Sequence, residues 1–154
     1  MKKSALGLTF ILAMVTSAAS AGEEEDIKQA VEAAQSWLAI VDAGKYGESW
    51  DIAATTLQQG IDKTKWEQAV GNVRKPIGAV KSRIVMKGAD APKLAKLQIG
   101  DAVVIQFATA FDKLAPAIET VTPFREQGGQ GGPWKVSGYY IKPAPVAVAP
   151  AGKP

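Results

Sequence analysis

The chain of 154 residues contains no cysteine and no histidine. Without cysteine no disulfide can brace the fold, so packing of apolar side chains must hold it together. Lacking both residue types, the chain has no Ser-His-Asp or Cys-His arrangement, none of the usual zinc ligands, and no histidine for haem. A phosphate-cradling loop is missing too. The glycine-rich run from Gly128 to Gly132 has no strand-to-helix setting and no following Lys-Ser or Lys-Thr. No internal repeat is visible. Acid–base chemistry is left to carboxylates and tyrosines, and neither a metal nor a cofactor is expected.

A strong charge of one sign is also absent: 18 basic residues face 15 acidic ones, a net charge of +3. Part of that excess belongs to an expected export signal, residues 1–21. Lys2 and Lys3 form its positive end, Ala5 to Val15 its apolar run, and Ala19-Ser20-Ala21 its small-residue cleavage site. The run is too short for a stable membrane anchor, and no cysteine follows the cleavage site to carry a lipid. Cleavage leaves 133 residues with a net charge of +1, which gives no argument for nucleic acid or an anionic membrane surface. The expected mature protein is periplasmic or secreted, with no membrane span. Its length suits one domain, 22–142, with a real core.

Within that domain the stretch from Ile27 to Val41 is the organising element. Ile27, Ala30, Val31, Ala34, Trp37, Leu38 and Val41 recur at helical spacing, with Lys28, Gln29, Glu32, Gln35 and Ser36 largely opposite. Glu23 to Asp26 supply negative charge near its start, and Gly44 can take the left-handed position past its end. A second helix is expected over Lys45 to Leu57, closed by Gly60. A third begins near Asp62 or Thr64, where Thr64 and Glu67 fit a capping box. Trp66, Ala69, Val70 and Val73 form its apolar face, and Lys75-Pro76 ends it. Gly71 inside it has no explanation in the sequence.

After Gly78 the period changes from 3.6 to 2. Val80, Ser82, Ile84 and Met86 alternate with Lys81, Arg83, Val85 and Lys87, which predicts a half-buried strand with one basic face. Gly88 to Gly100 reads as a loop. Val103 to Phe111 is apolar on both faces, as a central strand would be. Ala117 to Phe124 alternates again, and Pro123, without a ladder donor, predicts a bulge or an early end to pairing. Trp134 to Ile141 is the last strand. Pro143 to Pro154 is too poor in apolar bulk to repay its ordering and reads as a disordered tail.

Three helices followed by an antiparallel sheet resemble the cone of nuclear-transport-factor-two-like proteins, also called a cystatin-like roll. More narrowly, the chain resembles the bacterial domain-of-unknown-function family 4019. The resemblance is carried by A-A-Q-S-W-L-A-I-V-D-A-G-K-Y-G-E-S-W-D (Ala33 to Asp51) and W-E-Q-A-V-G-N-V-R-K-P-I-G-A-V-K-S-R (Trp66 to Arg83). V-V-I-Q-F-A-T-A-F (Val103 to Phe111), E-T-V-T (Glu119 to Thr122) and W-K-V-S-G-Y-Y-I-K (Trp134 to Lys142) complete it. The family implies an α+β fold with a curved antiparallel sheet, and no activity.

Glu119, between Ile118 and Val121, is the sharpest candidate for a base. The competing and favoured reading puts it on the solvent face, paired with Arg83 or Lys135. Asp42, Glu48 and Asp51 cluster near the end of the first helix. The aromatic residues Trp37, Tyr46, Trp50, Trp66, Trp134, Tyr139 and Tyr140 could line a cage, although their spacing assigns most of them to the core. Ligand-lining candidates are Trp37, Tyr46, Trp50, Gln106, Glu119 and Tyr140. The basic stretch of Arg74, Lys75, Lys81 and Arg83 reads as a solvated turn. The functions to weigh are an exported non-enzymatic module binding a small ligand or envelope protein, an accessory subunit forming a homodimer through its sheet, and a cone-fold isomerase or dehydratase.

Overall fold

A computed structural model describes residues 17–86, 102–126 and 132–145. The first sixteen residues of the expected signal, the Gly88–Gly100 loop, residues 128–131 of the glycine-rich run and the tail from residue 146 lie outside the described residues. Four helices precede four strands: α1 (Ser17–Asp42), α2 (Tyr46–Asp51), α3 (Thr55–Gly60), α4 (Lys63–Ile77), β1 (Val80–Val85), β2 (Ile105–Phe111), β3 (Ala117–Arg125) and β4 (Trp134–Pro143). The strands form one open antiparallel sheet in the order β1-β2-β3-β4. The fold is α+β, with α1 laid against β3 and β4.

The expected stripe of α1 is the one that is buried. Ala30, Ala34, Trp37, Leu38 and Val41 meet Phe107, Val121 and Val136 from the sheet, with Val31 packed at the margin. Gly44 closes the helix at φ +74°. Its N–H donates to Val41 O, and Lys45 N–H reaches back to Ile40 O, so a left-handed residue satisfies two end carbonyls.

The segment read as one second helix is two. At Ala54 the backbone is extended, and its N–H donates to Val136 O at the edge of β4. Gln58 Nε2 then donates to Trp50 O and Asp51 O, carbonyls that a continuing helix would have used. A tertiary hydrogen bond overrides the local periodicity here.

Helix α4 also departs from expectation at both ends and on its faces. Its N-cap is Asp62, which accepts from Lys65 N–H at 2.9 Å, in place of the Thr64–Glu67 box. Pro76 sits inside the last turn, and Gly78 at φ +80° ends it. Ala69 and Val73 are exposed, and the buried face is Trp66, Val70, Gly71 and Arg74. A Cβ at Gly71 would stand 3.5 Å from Cε2 of Tyr46, an ordinary contact, so packing gives no reason for the glycine.

In β1 the expected faces are reversed. The register shifts between Val80 and Ser82, and beyond the shift Arg83 and Val85 turn inward while Ile84 is 69% exposed. In β2 and β3 the inward residues are Ile105, Phe107, Thr109 and Phe111, then Ala117, Glu119, Val121, Pro123 and Arg125. The register between β3 and β4 slips at Thr122/Pro123, where the missing proline N–H predicts a break. Strand β4 runs on through Pro143, opposite Ala117, and Ala144 N–H donates to Pro116 O. The sheet therefore reaches into the segment read as the start of the tail.

Candidate functional site

Glu119 lies on the inward face of β3 with no exposed surface. The solvent-face reading is therefore corrected, although its pairing with Arg83 holds. Four donors from four other elements surround the carboxylate. Oε1 accepts from the Tyr139 hydroxyl at 2.6 Å and from Arg74 Nη1 at 3.4 Å. Oε2 accepts from Arg83 Nε at 2.6 Å and the Thr109 hydroxyl at 2.7 Å. Lys135, the other expected partner, pairs with Glu126 instead.

The network continues to Asp42, the last residue of α1. Arg83 grips that carboxylate with two parallel bonds, Nη1 to Oδ2 at 2.6 Å and Nη2 to Oδ1 at 2.9 Å. Arg74 Nη2 adds a third at 2.7 Å. Arg74 also donates to the Tyr139 hydroxyl at 3.0 Å and lies 5.0 Å from the centre of the Phe111 ring. Two cations thus meet two anions in a closed, neutral group. Such pairing is what makes burial of these charges tolerable.

The network fixes the protonation of its members. Burial raises the Tyr139 phenol well above the ordinary tyrosine range, and the charge of Glu119 raises it further, so Tyr139 stays an O–H donor. Burial alone would lower the Arg83 guanidinium, but bonds to Asp42 and Glu119 outweigh it and raise it. For Asp42 burial acts upward, yet hydrogen bonds from Arg83 and Arg74 and their charges carry the carboxyl below the ordinary aspartate value of 3.8.

The chemistry open to Glu119 follows from this geometry. A general base must come within hydrogen-bond reach of a substrate proton. Both oxygens of Glu119 are already engaged, and no surface of the residue is open to solvent. It serves as a structural anion joining β3 to β1, β2, β4 and α4.

A second clamp stands further toward the N-terminus of α1, at Asp26. Arg125, buried on β3, donates from Nη2 to Asp26 Oδ1 at 2.6 Å and lies 4.5 Å from the Trp134 ring centre. Asp26 and Asp42 are about 24 Å apart along α1. The helix is pinned to the sheet by charge at Asp26 and at Asp42, with apolar packing between them.

The six ligand-lining candidates are not brought together. Trp37 is core: it is 2% exposed, donates to Ser49 O at 2.8 Å, and meets Tyr139 edge-on at 5.3 Å. Trp50 packs at the core margin and donates to Ile61 O. Glu119 is sealed in the network. Gln106 and Tyr140 lie on the outer face of the sheet, both in register with Thr120. Tyr46 alone borders an open cleft, of about 620 Å³, between the α1–α2 turn and α4. Glu48 and Asp51 form surface pairs with Lys45 and Lys63.

Asp42, Arg74, Thr109 and Tyr139 are the network members that sequence reasoning left unassembled. The basic stretch around Pro76 is not a solvated turn, because Arg74 and Arg83 both turn inward. One signal was present. Trp66, Val70 and Arg74 fall at four-residue steps, so a charged residue continues the apolar stripe of α4.

Among the described residues no group of acidic side chains could hold a metal ion, and no helix is long and apolar enough to cross a membrane. No curated protein and no solved structure matches the chain. A family model described as "Protein of unknown function (DUF4019)" matches residues 33–139, from the buried stripe of α1 to Tyr139 of the network. The chain belongs to the DUF4019 family.

Proposed function

We propose that this is an exported, non-enzymatic binding module that meets its partner through the outer face of its sheet, the first partner being a second copy of the chain. In this reading the sheet curls around α1 as in the nuclear-transport-factor-two-like cone, with an interior filled by side chains. The observation that carries the reading is the contrast between the two faces. Inside, every candidate carboxylate and aromatic residue is committed to a bond or to packing.

Outside, a bare surface remains. Ile84, Ala108, Ile118 and Lys142 are in register across the four strands, and Gln106, Thr120 and Tyr140 form the next row. Among the described residues no helix covers them. Bulky side chains stand on the edge strands, with Ile84 69% and Tyr140 61% exposed, whereas Ala108 and Ala110 keep part of β2 low between them. A two-fold partner can seat a raised edge against those alanines, the self-complementarity that an isologous contact requires.

Light scattering on the eluting mature protein tests this. The expected result is a mass that rises toward the dimer with concentration. Ala108→Asp, a charge in the middle of the face, should hold the protein monomeric and cost less than about 1 kcal/mol of stability. A wild-type protein that stays monomeric throughout would overturn the dimer reading.

Export rests on Lys2, Lys3, the apolar run and Ala19-Ser20-Ala21. Intact-mass measurement of exported material should give a chain beginning at Gly22. Finding Met1 to Ala21 retained in a membrane fraction would contradict it.

A further inference from the structure

We infer that the cleft between the α1–α2 turn and α4 is a binding site for a short zwitterionic peptide of two or three residues. It lies away from the sheet face and does not depend on the pairing of two copies. Its volume of about 620 Å³ is within the range of small-molecule sites. Two glycines lie on its wall. At Gly71 the Tyr46 ring and the Lys75 stem pack to 3.5 and 3.6 Å of where a side chain would begin. The Glu67 carboxylate occupies the space that a Gly47 side chain would fill.

The charges around the cleft define the ligand. Lys45 is matched by Glu48 at 3.0 Å and Lys63 by Asp51 at 2.6 Å. Glu67 and Lys75 also line the cleft, and among the described residues neither forms an ion pair. They are eight positions apart on one helix, but the Lys75 side chain folds back so that Nζ lies 3.8 Å from where a Gly71 side chain would begin. That brings the two charges to about one helical turn of each other along the axis. One offers an anion and the other a cation, so a ligand spanning them must carry a cation at one end and an anion at the other. Two or three extended residues span about 7–11 Å, enough for the two ends of such a peptide to reach both charges. Gln68 and Asn72, between those positions on the same wall, carry amide groups able to donate to and accept from peptide bonds. The free ammonium meets Glu67, the free carboxylate meets Lys75, and the backbone between meets the amides.

Isothermal titration of the mature protein with trialanine tests the assignment, beside N-acetyl-trialanine and trialanine amide. Trialanine should give saturable heat, and capping either end should weaken binding about tenfold, the size of one charge-assisted hydrogen bond. In Glu67→Gln the penalty for N-acetylation should vanish, and in Lys75→Gln the penalty for amidation. Both side chains are exposed, so neither change should move the melting temperature. No saturable heat at millimolar trialanine, or equal binding of the capped and free peptides, would overturn the proposal. So would discrimination against the caps that persists in both variants.

Discussion

Trp37→Ala is expected to lower the urea midpoint severely or to prevent soluble expression. The indole is almost fully buried between Trp66, whose ring centre is 6.0 Å away, and Tyr139 at 5.3 Å. Truncating a buried tryptophan costs about 3–5 kcal/mol, from lost transfer free energy and the cavity left behind. A second loss adds to this, because Ser49 O, deep in the core, accepts from the Trp37 N–H and would be left without that donor. Set against a whole-domain stability of about 5–15 kcal/mol, one substitution removes a large share. Glu32→Ala, on the exposed side of the same helix, should stay within about 0.5 kcal/mol. If Trp37→Ala melts like wild type, the packed-interior reading fails and the indole becomes a ligand-site candidate.

Glu119→Gln is expected to cost about 3–5 kcal/mol, the usual penalty for stranding a buried charge. The change preserves shape but leaves Arg74 and Arg83 sharing one anion, Asp42. Arg74→Met should be comparably damaging for the opposite reason, since Asp42 and Glu119 would then share Arg83. Combining Arg74→Met with Glu119→Gln restores neutrality around the Arg83–Asp42 pair. The double variant should therefore be more stable than the sum of the single losses implies, with a coupling of about 1–3 kcal/mol. Simple additivity in urea melts would show that the four charges do not act as a unit.

The network also sets a direction for acid sensitivity. Asp42 titrates below 3.8 in the folded protein, so the unfolded chain binds that proton more readily. Its contribution is complete above the unfolded value and is lost as pH falls through the folded one. Melting temperature should accordingly fall on acidification below about pH 4, and less steeply in Asp42→Asn, which has no such proton to take up.

How much of this was legible in the sequence divides by the range of the interactions involved. The buried stripe of α1, the Gly44 stop, the central strand and the break at Pro123 follow from periodicity and local backbone chemistry, which act over a few residues. The split between α2 and α3 does not, because the Ala54–Val136 hydrogen bond joins positions distant in sequence. Nor does the phase of β1, because alternation alone assigns Arg83 to the polar face. A bulge and the carboxylates of Glu119 and Asp42 turn Arg83 inward. The burial of Glu119 is equally non-local, since no local pattern reveals that two arginines, a tyrosine and a threonine converge on it. The cleft was visible only through Tyr46, and its use of Gly71 depends on packing between α2 and α4.

The most direct test of a sealed interior with recognition on the outer sheet is the urea midpoint of the mature protein, measured across a wide range of protein concentration. Because a partner that binds only the folded state stabilises it by mass action, the midpoint should rise with concentration in wild type and stay flat in Ala108→Asp. A midpoint independent of concentration in the wild-type protein would contradict the pairing of two copies through this face.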